Sequence, residues 1–253
     1  FLLREHARTG MAEPRDMVLL TLRAMALGGM RDHLGGGFHR YSVDGDWRVP
    51  HFEKMLYDQA QLVLAYVVAA QLTGDAFYAD VAFDTLQYVM RDLTDAGGGF
   101  YSAEDADSVP PDQASNPAAH KMEGAFYMWH DSEIGEVLGD DADVFRRRFG
   151  ILPDGNAPFD PQGEFTHKNL LYTASPLEEV ASATQRSPHE VAASLARARA
   201  KLFAARGSRP RPHLDDKVLT AWNGLMIAAF ARTARVLPNG ERLSARTVIG
   251  LTL

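Results

Sequence analysis

The stretch "GGGFHRYSVDGDWRVPHFEKMLYDQAQL", residues 35–62, opens on three glycines and gathers two histidines, a tryptophan and four acids ahead of an apolar run. Gly35, Gly36 and Gly37 permit positive φ and close backbone approach, so the chain can turn sharply out of one helical hairpin and cross to the next. His39, Arg40 and Asp44 ride on that crossing segment. Pro50 suits a first helical turn and predicts a helix restarting there, with His51 and Glu53 in its first turn and Asp58 about two turns in. Acids near a helix N-terminus gain from the macrodipole, so capping accounts for any one of these groups taken singly. His39, Arg40, Trp47, His51, Glu53 and Asp58 taken together read as a ligand site.

Outward from this stretch, helical periodicity dominates. Val18, Leu22 and Met25 form an apolar stripe after Pro14, and Met55, Leu56, Val63, Tyr66, Val67 and Ala70 predict a longer helix ended by Gly74. Phe77, Val81, Leu86, Val89 and Leu93 predict another, closed by 97–99. Ser175-Pro176-Leu177-Glu178 and Ser187-Pro188-His189-Glu190 both read as Ser at N-cap, Pro at N1 and Glu at N3. A last helix is expected over 217–237, stopping at Pro238-Asn239-Gly240. Strand signals are confined to 38–43, 100–102 and 126–129, and 108–121 reads as a surface loop.

Gly35-Gly36-Gly37-Phe38-His39-Arg40-Tyr41-Ser42 echoes Gly97-Gly98-Gly99-Phe100-Tyr101-Ser102. A repeat of this kind marks stacked helical hairpins. The helices near Phe52 and Val218 are apolar nearly all round, a mark of burial on every side, and the amphipathic helices 14–27 and 76–93 would lie outside them. The fold class expected is therefore all-α: a toroid of helical hairpins, incomplete in this chain, with short β-hairpins at its mouth. Residues 1–237 are the partial barrel domain, and 238–253 an atypical C-terminal tail or a truncated next helix.

The chain has 253 residues, 46% hydrophobic and 23% charged, with a formal net charge of -7. This acidic balance speaks against a nucleic-acid partner. Arg146–Arg148 and the run from Arg206 to Arg211 read as solvated faces. The absence of cysteine removes disulfides, thiolate metal sites and a redox CxxC, and fits a cytoplasmic protein. No apolar run approaches the roughly 20 residues of a membrane-spanning helix, so no membrane partner is expected. Phe1-Leu2-Leu3-Arg4 lacks an initiator Met and a signal-peptide layout, and reads as the interior of a longer protein.

Three further patches carry chemistry. Glu104, Asp105 and Asp107 crowd carboxylates that raise one another's pKa, which suits an acid/base pair as well as a hydrated acidic turn. The pattern begins like a calcium loop, but Val109 stands where a third ligand belongs and no glycine follows; no metal is expected. Glu123-Gly124-Ala125-Phe126-Tyr127-Met128-Trp129 sets a carboxylate beside rings on which sugar C–H faces stack. Phe126 reads as core and Trp129 as site. Asp215 and Asp216 open the last helix, with Trp222 and Asn223 inside it; a buried amide needs partners, from a ligand or from the neighbouring hairpin.

The stretch at 35–62, with "GGFYSAEDADS", "EGAFYMW" and "DDKVLTAWNGLMIAAFAR", resembles the YyaL/spermatogenesis-associated protein family. Members join an N-terminal thioredoxin-like domain to a six-hairpin (α/α)6 region similar to N-acylglucosamine 2-epimerases and six-hairpin glycosidases. The resemblance covers the barrel part, and implies a thioredoxin-like domain and further barrel hairpins in the full-length parent. Sugar epimerase or isomerase chemistry with His as acid and base, or glycosidase chemistry with paired carboxylates, would suit such a mouth. The rival reading is a non-catalytic glycan- or protein-binding domain. The residues expected to be catalytic are His39, His51, Glu53, Glu104 and Asp107. Those expected to bind ligand are Arg40, Trp47, Asp58, Trp129, Asp216, Trp222 and Asn223, with a small carbohydrate as ligand and no cofactor.

Overall fold

The computed structural model describes residues 1–236 apart from Phe159, Pro161 and Gln162. Leu237, the last residue of the expected final helix, and the stretch 238–253 lie outside the described residues. The described chain is mostly helical with a few short strands. Helices α1 (Leu2–Thr9), α2 (Ala12–Leu27), α3 (Leu56–Thr73), α4 (Ala76–Asp92) and α9 (Thr220–Val236) flank an intervening group of α5 (Asp131–Leu138), α6 (Ala142–Phe149), α7 (Leu177–Thr184) and α8 (Pro188–Arg206). Local chemistry sets several boundaries. Gly74 ends α3 at φ 69, the left-handed cap that glycine adopts without strain. Asp75 then caps α4 by accepting from Phe77 N at 2.9 Å. Ser187 and Glu190 form a complete capping box on α8. The matching expectation at Ser175 shifts by one residue: α7 has Pro176 at its N-cap with no side-chain cap bond, because Ser175 Oγ donates instead to Glu179 at 3.1 Å.

The helix expected to restart at Pro50 does not. Residues 50–55 are extended, and α3 begins at Leu56. Sheet partners outweigh the proline signal: β2 (Pro50–His51) pairs antiparallel with β1 (Tyr41–Ser42), and β3 (Lys54–Met55) pairs with β4 (Ala103–Glu104). β4 also takes β7 (Leu214–Asp215) on its other edge, and β5 (Asp107–Ser108) pairs with β6 (Met122–Glu123). In the three-stranded sheet β3-β4-β7, β3 leads directly into α3 and β7 precedes α9.

The sequence echo is a structural repeat. After α2, Asp32 N donates to Gly37 O and His39 N to Met30 O; after α4, Asp95 N donates to Gly99 O and Tyr101 N to Leu93 O. In each copy a helix amide, on α3 in the first and on α9 in the second, grips the backbone of the phenylalanine. Gln59 accepts from Phe38 N at 2.8 Å and donates to Phe38 O at 2.7 Å, while Asn223 accepts from Phe100 N at 2.8 Å and donates to Phe100 O at 3.0 Å. Seven positions beyond each amide, two turns along the same helix face, an aromatic ring stacks on that phenylalanine: Tyr66 on Phe38 at 5.5 Å and Phe230 on Phe100 at 5.6 Å. Gly37 is indispensable to the turn, since at φ 76 a Cβ there would lie 2.5 Å from the Tyr88 ring.

The main core runs through α2, α3, α4 and α9, with Leu56, Val63, Tyr66, Leu86, Val89 and Phe230 fully buried or nearly so. Each such side chain contributes roughly 1.5–3 kcal/mol. Tyr66 OH ties α3 to α2 by donating to Leu22 O at 2.7 Å. A second core joins α5, α6 and α8 around Ile134, Phe145 and Leu202. α9 departs from the expectation of burial on every side. It packs on α3, but Leu225 and Ile227 on its other side are exposed.

Candidate functional site

An extended chain throws alternate side chains to opposite faces, and residues 50–55 do so. Pro50, Phe52 and Lys54 are buried while His51, Glu53 and Met55 are half-buried. The outer face carries a polar cluster. His51 Nδ1 lies 2.6 Å from Glu123 Oε1 and its Nε2 3.3 Å from Glu53 Oε2. Glu123 Oε1 also accepts from Phe52 N at 3.1 Å, and Arg40 Nη1 donates to Glu53 at 2.8 Å. The Tyr41 ring stacks on His51 at 5.0 Å.

Around this centre stand two carboxyls in unusual states. Asp107 lies opposite Glu123 in the β5–β6 register; burial raises its pKa, and Asp105 and Glu123 add to the effect. Asp58 occupies the first turn of α3. Burial lifts its pKa to about 6, with Arg40 opposing and Glu53 assisting. Its buried Oδ2 has no hydrogen-bond partner among the described residues. Beside it, Tyr57 interacts with Arg40 and meets Trp222 edge-to-face at 4.8 Å. The cluster therefore offers one histidine with a carboxylate at each nitrogen, an under-solvated carboxyl poised near neutrality, an arginine, and three part-exposed rings. Among the described residues, no three His, Cys, Asp or Glu side chains form a group fit to hold a metal ion.

Six expected residues thus meet here: Arg40, His51, Glu53, Asp58, Asp107 and Trp222. The other six lie elsewhere. His39 and Glu104 sit behind the strand, in a buried ion network. There Lys54 Nζ donates to Asp32 at 2.8 Å and to Gly36 O at 3.0 Å, and Arg206 grips Asp32 with two bonds of 2.8 Å. Burial, aided by Lys54, pushes His39 down to about 3; its Nδ1 lies 2.9 Å from Phe52 O. Burial alone would raise the Asp32 carboxyl, but Arg206 and Lys54 overrule it and hold it well below the usual carboxylate range. Glu104 accepts from Tyr88 OH and from Arg211 Nη2, each at 2.7 Å.

Trp47 lies in the β1–β2 turn at φ 61 and packs partly on the main core. Trp129 is enclosed, 1% exposed, with the Arg209 guanidinium 3.7 Å above its ring. Asp216 is exposed next to β7. Asn223 spends its amide on Phe100 and, at 3.1 Å, on Leu219 O, so the neighbouring hairpin is its partner. The arginine run from 206 to 211 is corrected too: Arg206 and Arg209 are buried and paired rather than solvated.

Glu123, Tyr41 and Tyr57 were missing from the expected site. Glu123 was visible as the carboxylate opening "EGAFYMW"; Tyr41 and Tyr57 become site residues only through strand pairing and the late start of α3.

No protein-family model matches the chain. Curated relatives do. The chain is 47% identical over 245 residues to human spermatogenesis-associated protein 20, covering 92% of this chain and 30% of that protein. The mouse protein of the same name is 45% identical over 248 residues, covering 93% of this chain and 31% of the relative. An uncharacterised protein of Caenorhabditis elegans is 42% identical over 227 residues, 85% of this chain and 30% of its own length. The chain is thus similar, along nearly all of its own length, to a segment of about 30% of spermatogenesis-associated protein 20.

Proposed function

We propose that the chain is part of an (α/α)6 toroid whose rim binds a carbohydrate and exchanges protons with it, in the manner of a sugar epimerase or isomerase. The repeat supports the toroid, because it gives two equivalent outer-to-inner steps, α2 to α3 and α4 to α9, with α3 and α9 packed side by side. The remaining hairpins and a thioredoxin-like domain would come from the rest of a longer protein, as the relatives' greater length allows.

One observation carries the chemistry: His51 is clamped between Glu123 and Glu53 on a surface flanked by Tyr41, Tyr57 and Trp222. A carboxylate on one imidazole nitrogen fixes the ring and its tautomer, so the other nitrogen can face a carbon beside a carbonyl and take its proton. Glu53 must release Nε2 for this, and Arg40 is placed to hold it. Asp58, poised at about 6, supplies a group that can return a proton near neutral pH. The rings offer the stacking faces that sugar C–H surfaces use.

The test is to incubate the full-length protein in D2O with a panel of aldoses and N-acylhexosamines, and to follow deuterium entering at the carbon next to the carbonyl by NMR. Exchange lost in His51→Ala and Glu123→Gln supports the proposal. Sugar binding without exchange leaves a glycan-binding module and removes the catalytic part. Neither binding nor exchange removes both.

A further inference from the structure

Behind the strand, a cavity of about 190 Å³ lies between the inner face of the small sheet and the end of α8. It opens where Ala204, Gly207 and Arg211 are exposed. Lys54 and Glu53 are chain neighbours on opposite faces, so this cavity and the rim cluster are separated by the strand itself.

Its charged walls are already balanced. Three cations (Lys54, Arg206, Arg211) face three anions (Asp32, Asp92, Glu104), and each is paired: Lys54 and Arg206 with Asp32, Arg211 with Glu104 at 2.7 Å and Asp92 at 3.1 Å. An ion entering here would find no uncompensated counter-charge, and breaking a buried pair to make one is costly. Glu104 and Asp32 nevertheless keep lone pairs beyond those their partners use, and Phe126 and Phe203 supply carbon surface. One polar group on the wall lacks a partner. Tyr127, 6% exposed, lines the cavity, and its hydroxyl has no hydrogen bond among the described residues. Its ring lies 5.0 Å from Lys54 Nζ and 5.3 Å from the Arg206 guanidinium, beside the charged walls. A buried hydroxyl left unpaired costs free energy, and a ligand hydroxyl would relieve it.

From the cavity, the cancelled charges and the orphaned Tyr127 hydroxyl, we infer a second binding site, specific for a small uncharged polyol. At roughly 30 Å³ per water the space equals about six waters, which suits a chain of about three to four carbons. Hydroxyls would donate to Glu104 and exchange a bond with Tyr127, while C–H groups would lie against the phenylalanine rings.

The test is a ligand-observed NMR titration of the full-length protein with glycerol and erythritol, with acetate and inorganic phosphate as charged probes. The polyols are expected to bind and the ions not. Tyr127→Phe, which deletes only the hydroxyl, should weaken erythritol by about fivefold, the worth of one hydrogen bond, while keeping the fold. Ala204→Leu, at the exposed opening, should block it. His51→Ala, on the opposite face, should leave polyol affinity unchanged, which separates this site from the rim proposal. Absence of polyol binding, equal binding of the ions, an unaltered affinity in both Tyr127→Phe and Ala204→Leu, or a loss in His51→Ala would overturn the inference.

Discussion

Replacing Asp58 with Asn should stabilise the protein at alkaline pH and do nothing comparable in acid. The carboxyl has an ordinary value of 3.8 and stands at about 6 in the fold, chiefly through burial. A carboxyl whose pKa rises on folding binds its proton more tightly in the native state. Stability is then greatest below the unfolded value and is lost as pH climbs through 3.8 towards the folded value. Two pH units at about 1.4 kcal/mol each set a ceiling of about 3 kcal/mol. Asp58 is only half-buried, and solvent screening together with the N-terminal dipole of α3 reduces this to about 1 kcal/mol. Asn keeps the shape and removes the charge, so urea denaturation of both proteins at pH 4 and pH 8 should show the variant about 1 kcal/mol more stable at pH 8 only. An equal difference at both values, or a loss at pH 8, would refute the assignment of Asp58 as a strained carboxylate. If Asp58 also serves the rim, the same variant loses deuterium exchange while gaining stability.

Two further outcomes concern residues that the rim cluster does not include. His39, ordinary value 6.5, is held at about 3 by burial and by Lys54. The unfolded chain therefore takes up a proton that the fold refuses, and stability falls as pH drops from about 6.5 towards 3; denaturation of His39→Gln across that window should show a loss smaller by a few kcal/mol. Asn223→Ala strips both the N–H and the C=O of Phe100 of their partner and should cost about 2 kcal/mol by thermal or chemical denaturation. Asn223→Ala should leave sugar affinity at the rim intact, because its amide is spent on architecture.

The physical basis of each reading explains which parts of the fold were legible. Gly74, the Ser187–Glu190 box and the apolar stripes of α3 and α4 are local signals, and local signals can be read from a few residues. The 35–42 and 97–102 echo was legible as pattern, but its content, an amide gripping a phenylalanine and a ring two turns on, joins Phe100 to Asn223 across 123 positions. The eight-residue helices α5 and α6 were missed because short charged segments carry little periodicity; Arg146 and Arg147 of α6 are tied to Asp131 and Asp143. Pro50 misled because its start signal is weaker than two strand pairings. At the site, His51, Glu53, Arg40 and Asp58 were legible through proximity in sequence. Behind the strand, the burial of Arg206 was not legible, since its partner Asp32 lies 174 positions away, and a buried arginine looks like a surface one until that partner is known.

The most direct measurement of the central claim is a crystal of the full-length protein soaked with N-acetylglucosamine and, separately, mannose. Sugar density is expected on the outer face of residues 50–55, in contact with His51 and Glu53 and stacked on Tyr57 or Trp222. Density confined to another face, or an unchanged His51–Glu53–Glu123 cluster at saturating sugar, would contradict it.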